Sequence, residues 1–138
     1  MIPYLAFYSD DVPSNMAGKA NGPIISIHTR FKGDKGTLMH EREHVKQWWF
    51  WVLLSGIAAA WLFYTGEPYW FFAFLPGIGA HSLLYAMVAP YRQWCEVQAY
   101  KVQASYGSPD ALPFYANALV VMYNLDITHE KALKLLSN

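Results

Sequence analysis

His40-Glu41-Arg42-Glu43-His44-Val45-Lys46-Gln47 runs straight into Trp48-Trp49-Phe50-Trp51-Val52-Leu53-Leu54, and this junction decides the fold. Two histidines four apart on a helix differ by roughly 40° in direction and about one turn in height. Both imidazoles can therefore reach one metal ion. Glu41 is turned roughly 100° from His40, so it can approach a water on that metal as a base without ligating the metal. Such a pair plus base marks zinc hydrolases, chiefly peptidases. Three fixed positions also arise by chance. The plain structural reading of the pentapeptide is a charged helix start in which Arg42 and Glu43 pair with neighbours about a turn away.

The rest of the composition narrows the choice. A chain of 138 residues forms one domain. Zero formal net charge leaves no basic field, and no aromatic-plus-basic patch points to nucleic acid. The single cysteine, Cys95, excludes an intramolecular disulfide and a cysteine-only zinc site. Residues 1–11 lack a basic segment followed by a long apolar one, so no cleaved signal peptide is expected. Charged residues make up 14%, against roughly 25% in ordinary soluble domains, and the apolar excess is concentrated in one region.

That region follows the motif. Residues 48–64 are uncharged and span about 25 Å as a helix, slightly short of the roughly 30 Å hydrocarbon core. Thr65-Gly66-Glu67-Pro68 reads as a turn. Residues 69–88 form a second uncharged run of about 30 Å if helical, with a kink expected at Pro76-Gly77. Trp48, Trp49, Tyr64, Tyr69, Trp70, Tyr91 and Trp94 gather at the ends, as in interfacial belts. Upstream, residues 1–8 suit a short strand, 9–23 a loop, and 24–31 a β-branched strand. Thr37 is the expected N-cap of a helix beginning near Leu38. Downstream, helices are expected over 92–105, over 110–123 with Asp110 as cap, and from Asp126 or Thr128 onward. The fold class is mainly α with a short β element, one domain over 1–138 built on a hydrophobic hairpin at about 48–88.

A catalytic zinc takes three protein ligands and keeps one position open. Glu96 is the best third ligand, being one of few carboxylates beyond the hairpin and on an expected helix. His81 stands mid-run in the second apolar segment, where a histidine is expensive unless paired. Along a continuous helix it lies roughly 22 Å from Glu96, which favours a buried, hydrogen-bonded residue over a ligand. Cys95 points about 100° away from Glu96 and reads as a small packed residue. His129-Glu130 reads as a helix start.

H-E-x-x-H followed downstream by Glu96-Val97-Gln98-Ala99-Tyr100 resembles the glutamate-ligated zincin metallopeptidases, the gluzincins. It is also similar to small phage and bacterial zincin-like proteins. The likeness covers about residues 24–103 and is carried by the motif residues. It implies a minimal zincin-like core in which a strand ahead of the active-site helix aligns the substrate backbone along its edge, with 24–31 in that place. It implies His40, His44 and Glu96 as ligands of Zn2+ and Glu41 as general base. Large members of the family supply a Tyr or His for the oxyanion from a further domain, for which this chain has no room. Tyr100 and His28 are the candidates here.

Two placements of the hairpin compete. As a transmembrane hairpin it would return His40, His44 and Glu96 to one side. Lys19, Arg30, Lys32, Lys35, Arg42, Lys46, Arg92 and Lys101 would lie on that side and only Glu67 on the other, which puts the site on the cytoplasmic face. As part of a soluble cytoplasmic domain, both runs would need full enclosure, which a core this small hardly provides. The expected function is a membrane-associated zinc metallopeptidase acting on a peptide or protein. The competing function is a non-enzymatic membrane or assembly protein whose zinc site is structural or degenerate. A fourth protein ligand, Cys95 or His28, would mark a structural site. Substrate specificity and oligomeric state are not legible in the sequence.

Overall fold

A computed structural model describes residues 2–107 and 109–138. Among them are three strands, β1 (Leu5–Tyr8), β2 (Gly18–Asn21) and β3 (Ile24–Ile27), and five helices, α1 (Lys35–Tyr64), α2 (Leu75–Met87), α3 (Ala89–Ala104), α4 (Leu112–Met122) and α5 (His129–Ser137). The fold is mainly helical with one small sheet, ordered β1-β3-β2. β1 runs parallel to β3 with Leu5 opposite Ile24, and β2 runs antiparallel with Gly18 opposite Ile27.

The sheet corrects the reading of residues 9–31 twice. The expected loop contains β2, closed onto β3 by the two-residue turn Gly22-Pro23. Gly22 has φ 59°, the left-handed backbone a tight hairpin turn needs at its first central position. Gly18-Lys19-Ala20-Asn21 has no β-branched residue, so composition alone hid this strand. The expected strand ends at Ile27. Its continuation is a 3-10 turn, Thr29–Phe31, capped by His28, whose Nδ1 accepts the Arg30 N–H at 3.3 Å. Because β3 is paired on both sides, it offers no free edge for a substrate. On the β2 side of the sheet the free edge belongs to β2.

α1 is the axis of the molecule, thirty residues and about 45 Å long. It starts three residues earlier than expected. Asp34, not Thr37, is the N-cap, accepting from the amides of Gly36 at 2.8 Å and Thr37 at 3.4 Å, while the Thr37 hydroxyl donates back to Asp34 at 2.7 Å. The helix stops at Gly66 (φ 81°), where the Glu67 N–H reaches the Leu62 carbonyl and the Gly66 N–H that of Phe63. These two bonds form the Schellman closure.

The second apolar run is not one kinked helix. It comprises a 3-10 segment, Trp70–Phe74, followed by α2, with Pro76 in the tolerated first turn. α2 packs tightly on α1 at Gly77, where an added Cβ would lie 2.5 Å from Ser55 Oγ and 2.7 Å from the Trp51 carbonyl. At Val88 the chain turns sharply into α3. Arg92 secures this corner by donating from Nη1 to the carbonyls of Tyr85 at 2.7 Å and Ala86 at 3.0 Å, a cation at a helix C-terminus.

Two cores flank the α1–α3 contact. Ile25 and Ile27 pack with Val45 beneath the sheet. Val97, Tyr100, Tyr115, Leu119, Leu125, Ile127, Ala132 and Leu136 join α3, α4 and α5. Of the two expected starts, Thr128 rather than Asp126 caps α5, accepting the Lys131 N–H. Beyond Trp49, which packs on the sheet core, the hairpin contributes to neither core. Phe50, Leu53, Ile57, Trp61 and Phe63 on one arm, and Phe72, Leu75, Leu83 and Met87 on the other, are exposed, Met87 to 75%. The chain therefore does not enclose these helices. Among the described residues one helical stretch, Trp70–Met87, is long and apolar enough to cross a membrane, with mean hydropathy 1.3 over its 18 residues.

The closeness at Gly77 sets a paired test by thermal unfolding. Gly77→Ala should destabilise by about 1–3 kcal/mol, the usual cost of overpacking. Gly79→Ala, where a Cβ meets nothing within 4 Å, should be neutral or stabilise by up to about 1 kcal/mol through helix propensity.

Candidate metal centre

His40 and His44 lie one turn apart on α1, and Glu96 faces them from α3. The three are largely buried, Glu96 to the point of 1% exposure. His40 Nε2 and His44 Nε2 are 3.3 Å apart. Glu96 bridges them, Oε2 lying 3.5 Å from His40 Nε2 and Oε1 3.3 Å from His44 Nε2. Ligands at 2.0–2.2 Å around a tetrahedral ion sit roughly 3.3–3.6 Å from one another. The His40–His44 edge has that length, the two Glu96 edges end on different oxygens of its carboxylate, and one ligand atom from each of the three residues lies within 4.8 Å of the others, close enough to hold one metal ion. Glu96 Oε2 is buried without a hydrogen-bond partner, although a buried carboxylate oxygen is expensive to leave unpaired. A cation held by the three groups would satisfy it. Among the described residues these three form the one group of His, Cys, Asp or Glu side chains able to hold a metal.

The surrounding residues orient the triangle. Gln47 lies three residues after His44 and is buried. Its Oε1 lies 3.0 Å from His44 Nδ1, and its Nε2 donates to the Cys95 carbonyl at 3.1 Å. The first bond sets Nδ1 as the protonated nitrogen and leaves Nε2 free to ligate. Tyr85, from the last turns of α2, donates its hydroxyl to Glu96 Oε1 and sets its ring edge-on to His44 at 6.0 Å. Tyr100 packs edge-on against His40 with ring centroids 4.5 Å apart. Its hydroxyl is 3.1 Å from that of Tyr123. Tyr100 therefore braces the His40 ring. His28 caps the turn after β3 and faces Asp10 at 3.8 Å.

Glu41 is buried beside the triangle, with its carboxylate beneath β2. A Cβ placed on Gly18 would stand 3.0 Å from Glu41 Oε1. Burial raises the Glu41 pKa, the imidazoles of His40 and His44 lower it, and Glu96 raises it further, with a net upward direction. Burial alone would lower His44, but the Glu96 carboxylate overrides it and raises the imidazole above 6.5. Glu96 moves the opposite way: burial would raise it, and the two imidazoles pull it below 4.5. The metal-free pair is therefore charged near neutrality.

Several smaller expectations resolve here. Cys95 is buried, its thiol pushed up to about 12 chiefly by burial, and it stands outside the metal group. Glu43 pairs with Lys46. His81 is buried and bonded as expected, its Nδ1 lying 2.9 Å from the Tyr91 hydroxyl, which also accepts the Trp51 indole N–H at 2.8 Å. The continuous-helix path of roughly 22 Å from His81 to Glu96 does not exist, because the corner at Val88 folds α2 back on α3. Tyr85 consequently stands against the triangle, and His81 lies behind Tyr85 with the two rings 6.1 Å apart. Tyr85 and Gly18 went unnoticed in the sequence, since neither lies on a spacing that predicts contact. Gln47 was findable, because i+3 from His44 is the same helix face.

Set against known proteins, the chain matches no family model, no curated protein and no solved structure.

The charged state of His44 and Glu96 predicts how metal enters. A divalent cation must displace the His44 proton, so zinc binding near neutral pH should release a proton. The His44 pKa is raised, so apparent affinity should climb as pH rises from 6.5 toward 8. Calorimetry in buffers of different ionisation enthalpy reads both. Gln47→Leu should weaken zinc binding about 10–100-fold, the usual cost of losing such an orienting bond.

Proposed function

We propose that the chain is a small membrane-associated zinc metallopeptidase whose site lies at the membrane surface. The observation that carries this reading is the convergence of His40, His44 and Glu96 on one point with Glu41 buried at its side. Two neutral imidazoles and one carboxylate suit zinc. Bound there, zinc would polarise a substrate carbonyl and bring a water's pKa toward neutrality.

The chain's own residues do the rest. Glu41 takes the proton of the attacking water while the water oxygen bonds to the peptide carbonyl carbon. As the C–N bond breaks, Glu41 returns that proton to the leaving amine. The upward pull of burial on its pKa suits a group that must both accept and give a proton. Gln47, Tyr85 and Tyr100 hold the ligands in place. A structural zinc would need a fourth protein ligand. The group stops at three among the described residues, with Cys95 and His28 engaged elsewhere. This favours an open position and hydrolysis.

The exposed apolar surface of the hairpin supports a membrane placement. The stretch from residue 48 to residue 91 carries one charged residue, Glu67 at the tip, while the lysines and arginines lie with the site. By the positive-inside rule the site then faces the cytoplasm.

Glu41→Gln separates binding from chemistry. Zinc per chain should stay at one, and hydrolysis of a degenerate peptide library should drop at least about 100-fold. Parent-level hydrolysis in a clean preparation of that variant would overturn the mechanism.

A further inference from the structure

The direction of β2 relative to α1 bears on the substrate. Gly18, at the start of β2, lies over the Glu41 carboxylate. Gly22, just past its end, lies over the Trp48 indole, where a Cβ would stand 3.3 Å from Cε2. The strand therefore runs alongside α1 from the base toward the first residue of the apolar run. The two lengths agree. Glu41 to Trp48 is seven residues, about 10 Å of helix rise. Gly18 to Gly22 is four residues, about 13 Å of strand.

The outer edge of β2 is unpaired in the sheet. The His28 N–H bonds to the Ala17 carbonyl at 2.9 Å, which fixes the alternation of the antiparallel ladder. Lys19 and Asn21 then point their backbone groups at β3. Gly18 and Ala20 point theirs outward. A chain adding to this edge by main-chain pairing lies along the same line, one end at the level of Trp48 and the other beside Glu41.

We propose that the substrate is a membrane-anchored polypeptide, cut in the extended segment that leaves the bilayer, about three to five residues beyond its apolar anchor. This rests on the metallopeptidase reading above. The occupant of the β2 edge is the juxtamembrane strand of that substrate. β2 ends where the hairpin's apolar surface begins, so an anchored chain meets the edge as it leaves the membrane. The strand acts as a ruler, and its length sets the distance from anchor to cut.

The test uses the zinc-loaded full chain in phosphatidylcholine–phosphatidylglycerol vesicles. A degenerate twelve-residue segment is presented behind a single apolar helix or free in solution, and products are mapped by mass spectrometry. Cuts that cluster about three to five residues from the anchor, at least ten times faster than in the free library and absent in Glu41→Gln, are the expected result. Ala20→Pro removes one outward N–H and leaves the bonds to β3 intact. It should keep zinc and slow the anchored reaction about tenfold or more. Glu41-dependent cutting of the free library at equal rate, or cuts scattered along the anchored segment, would overturn the ruler and leave the peptidase reading standing. No Glu41-dependent cutting in either format would overturn both. A change in oligomeric state on Ala20→Pro with an unchanged cut map would assign the edge to a second copy of the chain and also overturn the ruler.

Discussion

A carboxylate with 1% of its surface exposed must be compensated, and Glu96 is held between two imidazoles and a tyrosine hydroxyl. Desolvating an ion costs several kcal/mol even after relaxation. That cost is offset only if α1, α2 and α3 all arrive in register. α1 brings His40 and His44, α3 brings Glu96, and α2 brings Tyr85. The hairpin returns the chain to its starting end, the corner at Val88 folds α2 onto α3, and Arg92 ties that corner down. Removing any one of these takes a partner from, or loosens the packing around, a buried charge.

The same geometry explains how so small a chain holds a demanding site. Its two cores are modest, one beneath the sheet and one among α3, α4 and α5. The hairpin adds little to either, because its large apolar side chains face outward. Its contribution is positional. Gly77 lets α1 and α2 approach closely, and Trp51, Tyr91 and His81 link them to α3 through hydrogen bonds. An apolar exterior of this size marks an interaction surface, and under the proposed placement a bilayer would cover it.

Much of this was legible before the fold was known. His40, Glu41, His44 and Glu96 came from the motif and its downstream partner. The hairpin came from two uncharged runs that return both ends to one side. The start of α5 came from Thr128 and its amphipathic pattern. Features that depend on how the chain turns were not legible. β2 hides in residues chosen for a turn and for closeness to Glu41, not for strand propensity. Tyr85 is eleven residues from Glu96 along the sequence and reaches it in space because the chain turns back at Val88. Asp34 displaced Thr37 as cap because its carboxylate accepts from two amides while Thr37 donates to it. The strand expected to align a substrate sits in the middle of the sheet, paired on both sides, because the chain folds β2 back onto it through the Gly22-Pro23 turn.

X-ray absorption at the zinc edge of the loaded protein tests the central claim most directly. Three protein ligands from His40, His44 and Glu96 predict a four-coordinate ion with only nitrogen and oxygen neighbours at about 2.0–2.2 Å and two imidazole scattering patterns. That signal should fall to one imidazole in His44→Ala. A sulfur neighbour at about 2.3 Å, or a zinc environment unchanged by loss of His44, would contradict the account.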